Sequence, residues 1–183
     1  MTASPPPNRW LAIALALASA GCLAAAALTS RWLVSGEVYD EIRVGLRAIT
    51  TCGSSLGGAA CTDTSNGELG GAFASAGLAT FVTCLISAFG ALVAAVLAIA
   101  RKRPDLPLAP TTIALVACIL ALIAGFVFVA TKPEAAAYLG LGPSFYAFAA
   151  GVLLGFVSAP MLAKVNRPPD PDLLDDAMNP DQF

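Results

Sequence analysis

The chain has 183 residues, of which 57% are hydrophobic and 12% charged, with a net charge of −2 and no histidine. A soluble domain carries roughly twice that charged fraction, so the apolar surplus faces something other than a water-soluble core. The absence of histidine removes most haem, zinc and His-dependent hydrolytic chemistry. The near-neutral charge offers nothing to a nucleic acid.

Residues 1–9, with Pro5 to Pro7 in a row, read as a short disordered arm. A first apolar run, 10–29, approaches the roughly 20 residues needed to cross a bilayer's hydrocarbon. Its basic start and alanine-rich flanks resemble a signal peptide, but the run is long for one, and an uncleaved helix is expected. Ser19-Ala20-Gly21-Cys22 resembles a lipoprotein processing site. The residues after Cys22 stay apolar, however, which argues against lipidation there.

A loop of about forty residues follows. Trp32, Val34 and Val38 share one parity, continued by Ile42, Val44, Leu46 and Ala48, with Arg43 and Arg47 on the other. Alternation of this kind marks half-buried strands. The strongest strand is expected over 41–51, with Arg43 and Arg47 on its outer face near Glu37, Asp40 and Glu41. Cys52 and Cys61 are the only cysteines outside the apolar runs, and their short spacing across Gly53, Gly57 and Gly58 predicts a disulfide-closed turn. A partner strand is expected near 59–64. Closing so short a loop stabilises by roughly 2–3 kcal/mol in the chain-entropy model. Residues 31–64 thus read as a small antiparallel sheet on the helix ends.

Further apolar runs cover 71–100, 111–130 and 144–162, none with a charged residue in its interior. A soluble helical bundle would need a polar stripe on such helices. The second run would extend about 45 Å, so it tilts or projects beyond the hydrocarbon. Arg101-Lys102-Arg103, Pro104 and Pro107 end it. Gly140 and Gly142 are expected as hinge or cap residues before the fourth run. Residues 168–183 form an acidic tail expected to be disordered, and the terminal Asp181-Gln182-Phe183 could fit a PDZ groove. The expected fold class is a mainly α membrane protein: a four-transmembrane-helix bundle, residues 1–183, with a small extracytoplasmic antiparallel β-sheet in its first outer loop.

Six basic residues (Arg9, Arg101, Lys102, Arg103, Lys164, Arg167) fall on one side in short segments. The other side has Arg31, Arg43, Arg47 and Lys132 over longer loops. The positive-inside rule then puts both termini in the cytoplasm of a multi-pass plasma (inner) membrane protein. The cysteine loop lies outside, where disulfides persist.

Small residues crowd the helices. Gly151, Gly155 and Ala159 form one row, and Gly90 and Ala94 another. Close backbone approach drives helix association in lipid. The Gly151–Gly155 row serves packing within the chain or self-association. Cys22, Cys84 and Cys118, inside helices, read as small hydrophobes. No charge at bilayer depth suggests proton or ion coupling, and no Cys-x-x-Cys pair suggests thiol redox chemistry. Neither a metal nor a cofactor is expected, and the chain reads as non-enzymatic.

Four helices, termini inside, and an outer loop carrying Trp32, then Gly45-Leu46-Arg47, then Cys52 and Cys61 resemble the claudin and peripheral myelin protein superfamily, which includes the calcium-channel gamma subunits. In that pattern Arg47 stands where the family has Trp, and four residues rather than two precede the first cysteine. The resemblance implies a left-handed four-helix bundle capped by an extracellular sheet, with the disulfide joining two strands. The alanine-rich, lysine-poor composition suggests a GC-rich bacterium. The expected partners are the lipid bilayer and either a protein partner or a second copy. The expected roles are adhesion, lateral assembly or accessory binding to a membrane complex, with Arg43 and Arg47 as a partner surface. An oligomeric channel or transporter component is the alternative.

Overall fold

The computed structural model describes residues 8–35, 40–55, 58–100 and 110–165. Within them run four long helices: α1 (Arg9–Leu28), α2 (Gly71–Ala100), α3 (Pro110–Ala130) and α4 (Pro143–Val165). All four are long and apolar enough to cross a membrane. The proline arm, Val38 and Glu37, the Arg101–Arg103 cluster, Arg167 and the acidic tail with its terminal Phe183 lie outside the described residues.

Helix boundaries follow local chemistry. The Asn8 side chain accepts from the Trp10 N–H, satisfying one of the free donors at the start of α1. Pro110 and Pro143 occupy the first positions of α3 and α4, where a missing N–H costs no helical bond. α4 runs past its expected end to Val165 and passes through Pro160. α2 has the bounds expected from sequence. It is preceded by a 3₁₀ turn, Asn66–Leu69, and by Gly70 at φ 130°, the one described glycine with positive φ.

α1 packs between α2 and α4, and α3 packs on α2 with a smaller contact to α4. Small residues set these approaches. A Cβ at Gly90 would lie 3.1 Å from the Ala114 Cβ, so α2 and α3 meet there almost backbone to backbone. Hydroxyls within the bundle are spent on carbonyls: Ser19 donates to Gly151 O at 2.7 Å and Ser87 to Ala114 O at 3.0 Å, each tying two helices together. Arg9 donates to Ala98 O and Ile99 O, fixing the α1 start beside the α2 end. It also occupies carbonyls that the last turn of α2 leaves free.

At the opposite end stand five antiparallel strands in the order β4-β3-β2-β1-β5: β1 (Leu33–Val34), β2 (Asp40–Val44), β3 (Ala48–Ser55), β4 (Gly58–Ser65) and β5 (Gly140–Leu141). Two expectations are corrected. The single strand over 41–51 is a hairpin: β2 ends at Val44, the chain reverses through Gly45-Leu46-Arg47, and β3 returns from Ala48 with Val44 opposite Ile49. Period-two alternation survives the reversal because Leu46, at its tip, is still buried, so parity alone does not reveal the turn. Second, Gly140 is not a hinge. Gly140–Leu141 adds a strand beside β1, and the Gly142 N–H donates to Trp32 O at 2.7 Å.

Candidate functional site

Trp32 holds the sheet on the bundle. It is fully buried, and its indole N–H donates to Ala26 O at 2.6 Å. That carbonyl belongs to the last turn of α1, where backbone acceptors lack helical partners. Thr29 covers the neighbouring Ala25 carbonyl with both its N–H and its hydroxyl. The indole meets Phe128 of α3 edge-on at 5.7 Å, and Phe145 and Phe148 of α4 at 6.0 and 5.0 Å. Phe73 of α2 stacks on Phe128 at 4.4 Å. One aromatic cluster thus joins three helices to the first strand. Sequence reasoning singled out Trp32 but missed its partners, because Phe73, Phe128, Phe145 and Phe148 sit in apolar runs that look uniform.

The Gly45-Leu46-Arg47 turn is the second anchor. Leu46 is buried, and its carbonyl lies so close to α2 that any Cβ at Gly77 would run into it. A Cβ at Gly45 would come within 2.8 Å of the Ser30 backbone. The buried Asn66 amide donates to Gly45 O at 2.9 Å and ties the turn to the end of β4. Both glycines therefore mark close approach of two backbones.

The disulfide expectation is met in position: Cys52 and Cys61 are bonded and stand directly opposite each other on β3 and β4, with Cα atoms 4.1 Å apart. The outer stretch of β4, from Cys61 to Ser65, is exposed, and Thr50 of β3 donates to the Asp63 carboxylate at 2.6 Å.

The two arginines do not share a strand face, which corrects the sequence reading. Arg43 lies on β2 and is ion-paired with Glu41 of the same strand. That hydrogen bond, helped by the charges of Arg43 and Arg31, holds the Glu41 carboxyl below the usual carboxylate range, and Glu41 correspondingly raises Arg43. Arg47 is in the turn, exposed, with its guanidinium 5.0 Å from the centre of the Phe81 ring of α2, a cation–π contact. The break at Gly45 separates the two, sending Arg47 toward the helices.

Gly151 and Gly155 face the chain's own α1. A Cβ at Gly151 would lie 2.9 Å from Leu23 Cγ, and one at Gly155 3.1 Å from both Cys118 Sγ and Ser19 Oγ. Cys84 and Cys118 are buried and free, and Cys22 is half-buried and free. Among the described residues no group of three His, Cys, Asp or Glu side chains comes together to hold a metal.

Between the end of α1, the Gly45–Ala48 turn, the end of β4 and Phe81 lies an open groove of about 420 Å³. Arg47 and Asp63 both line it, and no ion pair joins them. Compared with known proteins, the sequence matches no family model and no curated protein.

Proposed function

We propose that the chain is a multi-pass plasma membrane protein of claudin-like architecture, with both termini cytoplasmic, in which the extracytoplasmic sheet is a rigid display surface for lateral assembly or for binding another membrane protein. The observation that carries this reading is the way the sheet is built. Its inner half is locked to the helices by Trp32 and by the Leu46 turn, which Asn66 holds to the end of β4, while the disulfide-braced β3–β4 hairpin presents an exposed polar edge from Cys61 to Ser65. A rigid element with free backbone groups along one edge suits pairing with another chain.

The apolar helices supply the membrane anchor, and the distribution of Lys and Arg supports the orientation. The early tryptophan, the Gly-Leu turn and the cross-strand cysteines support the claudin-like reading residue by residue. Arg43, being already paired with Glu41, is a weaker partner contact than Arg47. No observation favours the channel reading specifically.

Photo-crosslinking tests the proposal. A photoreactive residue at Thr62 or Thr64 should give a discrete crosslinked species in native membranes, to a second copy or to one other membrane protein. The same probe at Leu120, on the exposed apolar flank of α3, should not give that species. Equal, diffuse crosslinking from all three positions would overturn it.

A further inference from the structure

The groove beside Arg47 carries two opposite charges that do not neutralise each other, and its position in the fold says what can reach it. The hydrogen bonds from Arg9 to Ala98 O and Ile99 O set the level of one end of α1 against α2. From there α1 rises about 30 Å to Leu28, and the same rise along α2 ends near Ala79. Thirty ångströms is about the thickness of a bilayer's hydrocarbon. Leu28 and Phe81, which both line the groove, therefore mark the outer boundary of the hydrocarbon. The first turns of α2, from Gly71 on, stand above it and hold the sheet.

At that boundary the groove has two kinds of wall. Leu28, 72% exposed, and Phe81 are apolar and continue into the lipid-facing flank of α1 and α2. Above them stand Arg47, whose guanidinium lies over the Phe81 ring and has no ion-pair partner among the described residues, and Asp63, whose carboxylate accepts from Thr50. A guanidinium is built to hold phosphate oxygens. A carboxylate with acceptor sites left over takes a primary ammonium. A free anion would meet Asp63, and a free cation would meet Arg47. A ligand that is itself zwitterionic, with a phosphate next to an ammonium and apolar chains below, satisfies both.

We infer that this groove binds a zwitterionic aminophospholipid, with the phosphate on Arg47, the primary ammonium on Asp63, and an acyl chain along Leu28 and Phe81. The inference rests on the reading that the four helices span a membrane. It adds a headgroup preference that the membrane reading does not contain. A quaternary choline fits less well, because it has no N–H to donate to Asp63. Phosphatidylglycerol fits less well because its headgroup lacks the cation.

The test is native mass spectrometry of the full chain, delipidated in mild detergent. The protein is titrated with phosphatidylethanolamine, phosphatidylglycerol and phosphatidylcholine of identical acyl chains. Phosphatidylethanolamine should be retained about tenfold more strongly than either of the others, the scale of one charge-assisted hydrogen bond. Arg47→Gln should weaken retention of all three lipids. Asp63→Asn should abolish only the preference, bringing phosphatidylethanolamine down to the level of phosphatidylglycerol. Circular dichroism and the intact Cys52–Cys61 bond check that each variant is folded.

Equal retention of the three lipids by the unaltered protein overturns the inference, as does a preference that survives Asp63→Asn or a retention unchanged by Arg47→Gln. Soluble phosphoethanolamine competing as well as the lipid does would overturn the acyl-chain contact. Alkaline extraction of the native membranes separates the two levels. A chain released by alkali defeats the membrane reading itself, whereas one that stays embedded without headgroup preference defeats only this inference.

Discussion

Replacing Trp32 tests the claim that one side chain fastens the sheet to the helices. Trp32→Ala removes a fully buried indole that packs on Phe128, Phe145 and Phe148, a truncation that costs about 3–5 kcal/mol in a core. It also strands the Ala26 carbonyl, buried at the end of α1, for about 1–3 kcal/mol more. The sum rivals the whole stability of a typical domain, about 5–15 kcal/mol, so this variant should fail to assemble. Trp32→Phe is the sharper probe. It keeps an aromatic ring among the phenylalanines and loses the hydrogen bond, so a loss of about 1–3 kcal/mol is expected. Unfolding by heat or by SDS in mild detergent, followed by circular dichroism, measures it. Burial is checked separately: the chain has two tryptophans, and Trp10 is 67% exposed, so Trp10→Phe leaves Trp32 as the sole fluorophore. Its emission should be blue-shifted and resist aqueous quenchers. A Trp32→Phe protein within about 0.5 kcal/mol of the parent, below the usual worth of such a bond, would refute the reasoning.

Changing Cys52 and Cys61 together to Ala should lower stability by roughly 2–3 kcal/mol while leaving the helical circular dichroism intact, since the bond closes only the β3–β4 hairpin. Gly77→Ala should destabilise by about 1–3 kcal/mol, because the Leu46 backbone must move, although Ala is the better helix former by about 1 kcal/mol. An unfolding midpoint at or above that of the parent would contradict the close approach. Gly151→Val should lower the midpoint of the monomeric protein, since the added atoms meet Leu23 and Cys22 of its own α1; a change confined to oligomer stability would point to self-association instead. The Glu41 carboxyl is depressed in the folded chain by Arg43. Its contribution is complete above the unfolded value, about 4.3, and is lost as pH falls through the lower folded value. Glu41→Gln should flatten that part of the acid profile of thermal unfolding and lower the plateau above pH 6 without changing its slope.

The helices were legible because their signal is local. Four runs without charge define α1 to α4 to within three residues at either end, and the disagreements have local causes, such as the Asn8 cap and the tolerance of Pro160 within α4. The disulfide was legible for a similar reason, since only two cysteines lie outside the apolar runs. The hairpin at Gly45 was not, because the feature that creates it is not periodicity but contact. Its reversal is held by Asn66, twenty-one positions away, and by a carbonyl pressed against Gly77 in another element. β5 escaped notice on the same ground. Two residues, Gly140 and Leu141, carry no strand pattern of their own and become a strand only because Leu33 and Val34 offer an edge.

The candidate site depends even more on contacts of this kind. Read along the chain, Arg47 belongs with Arg43, two basic residues on one face of one strand. In the fold, Arg43 is ion-paired within its own strand to Glu41, whereas Arg47 leaves the sheet and lies over Phe81, thirty-four positions further on. If the four helices span a membrane as proposed, a tryptophan at position 47 would place an apolar ring at the outer boundary of the hydrocarbon, where aromatic residues anchor proteins against lipid. An arginine there keeps an aromatic contact through Phe81 and, on the same reading, would add a charge able to reach the headgroup layer. Asp63 becomes relevant only because β4 returns antiparallel and brings its carboxylate to the same groove. On the proposed reading, one residue in a turn would make an anchoring position into one that selects a lipid. That conversion depends on the sheet being rigid: if the Trp32 anchor loosens, Arg47 and Asp63 are no longer held at fixed separation, and selectivity should fall before insertion does.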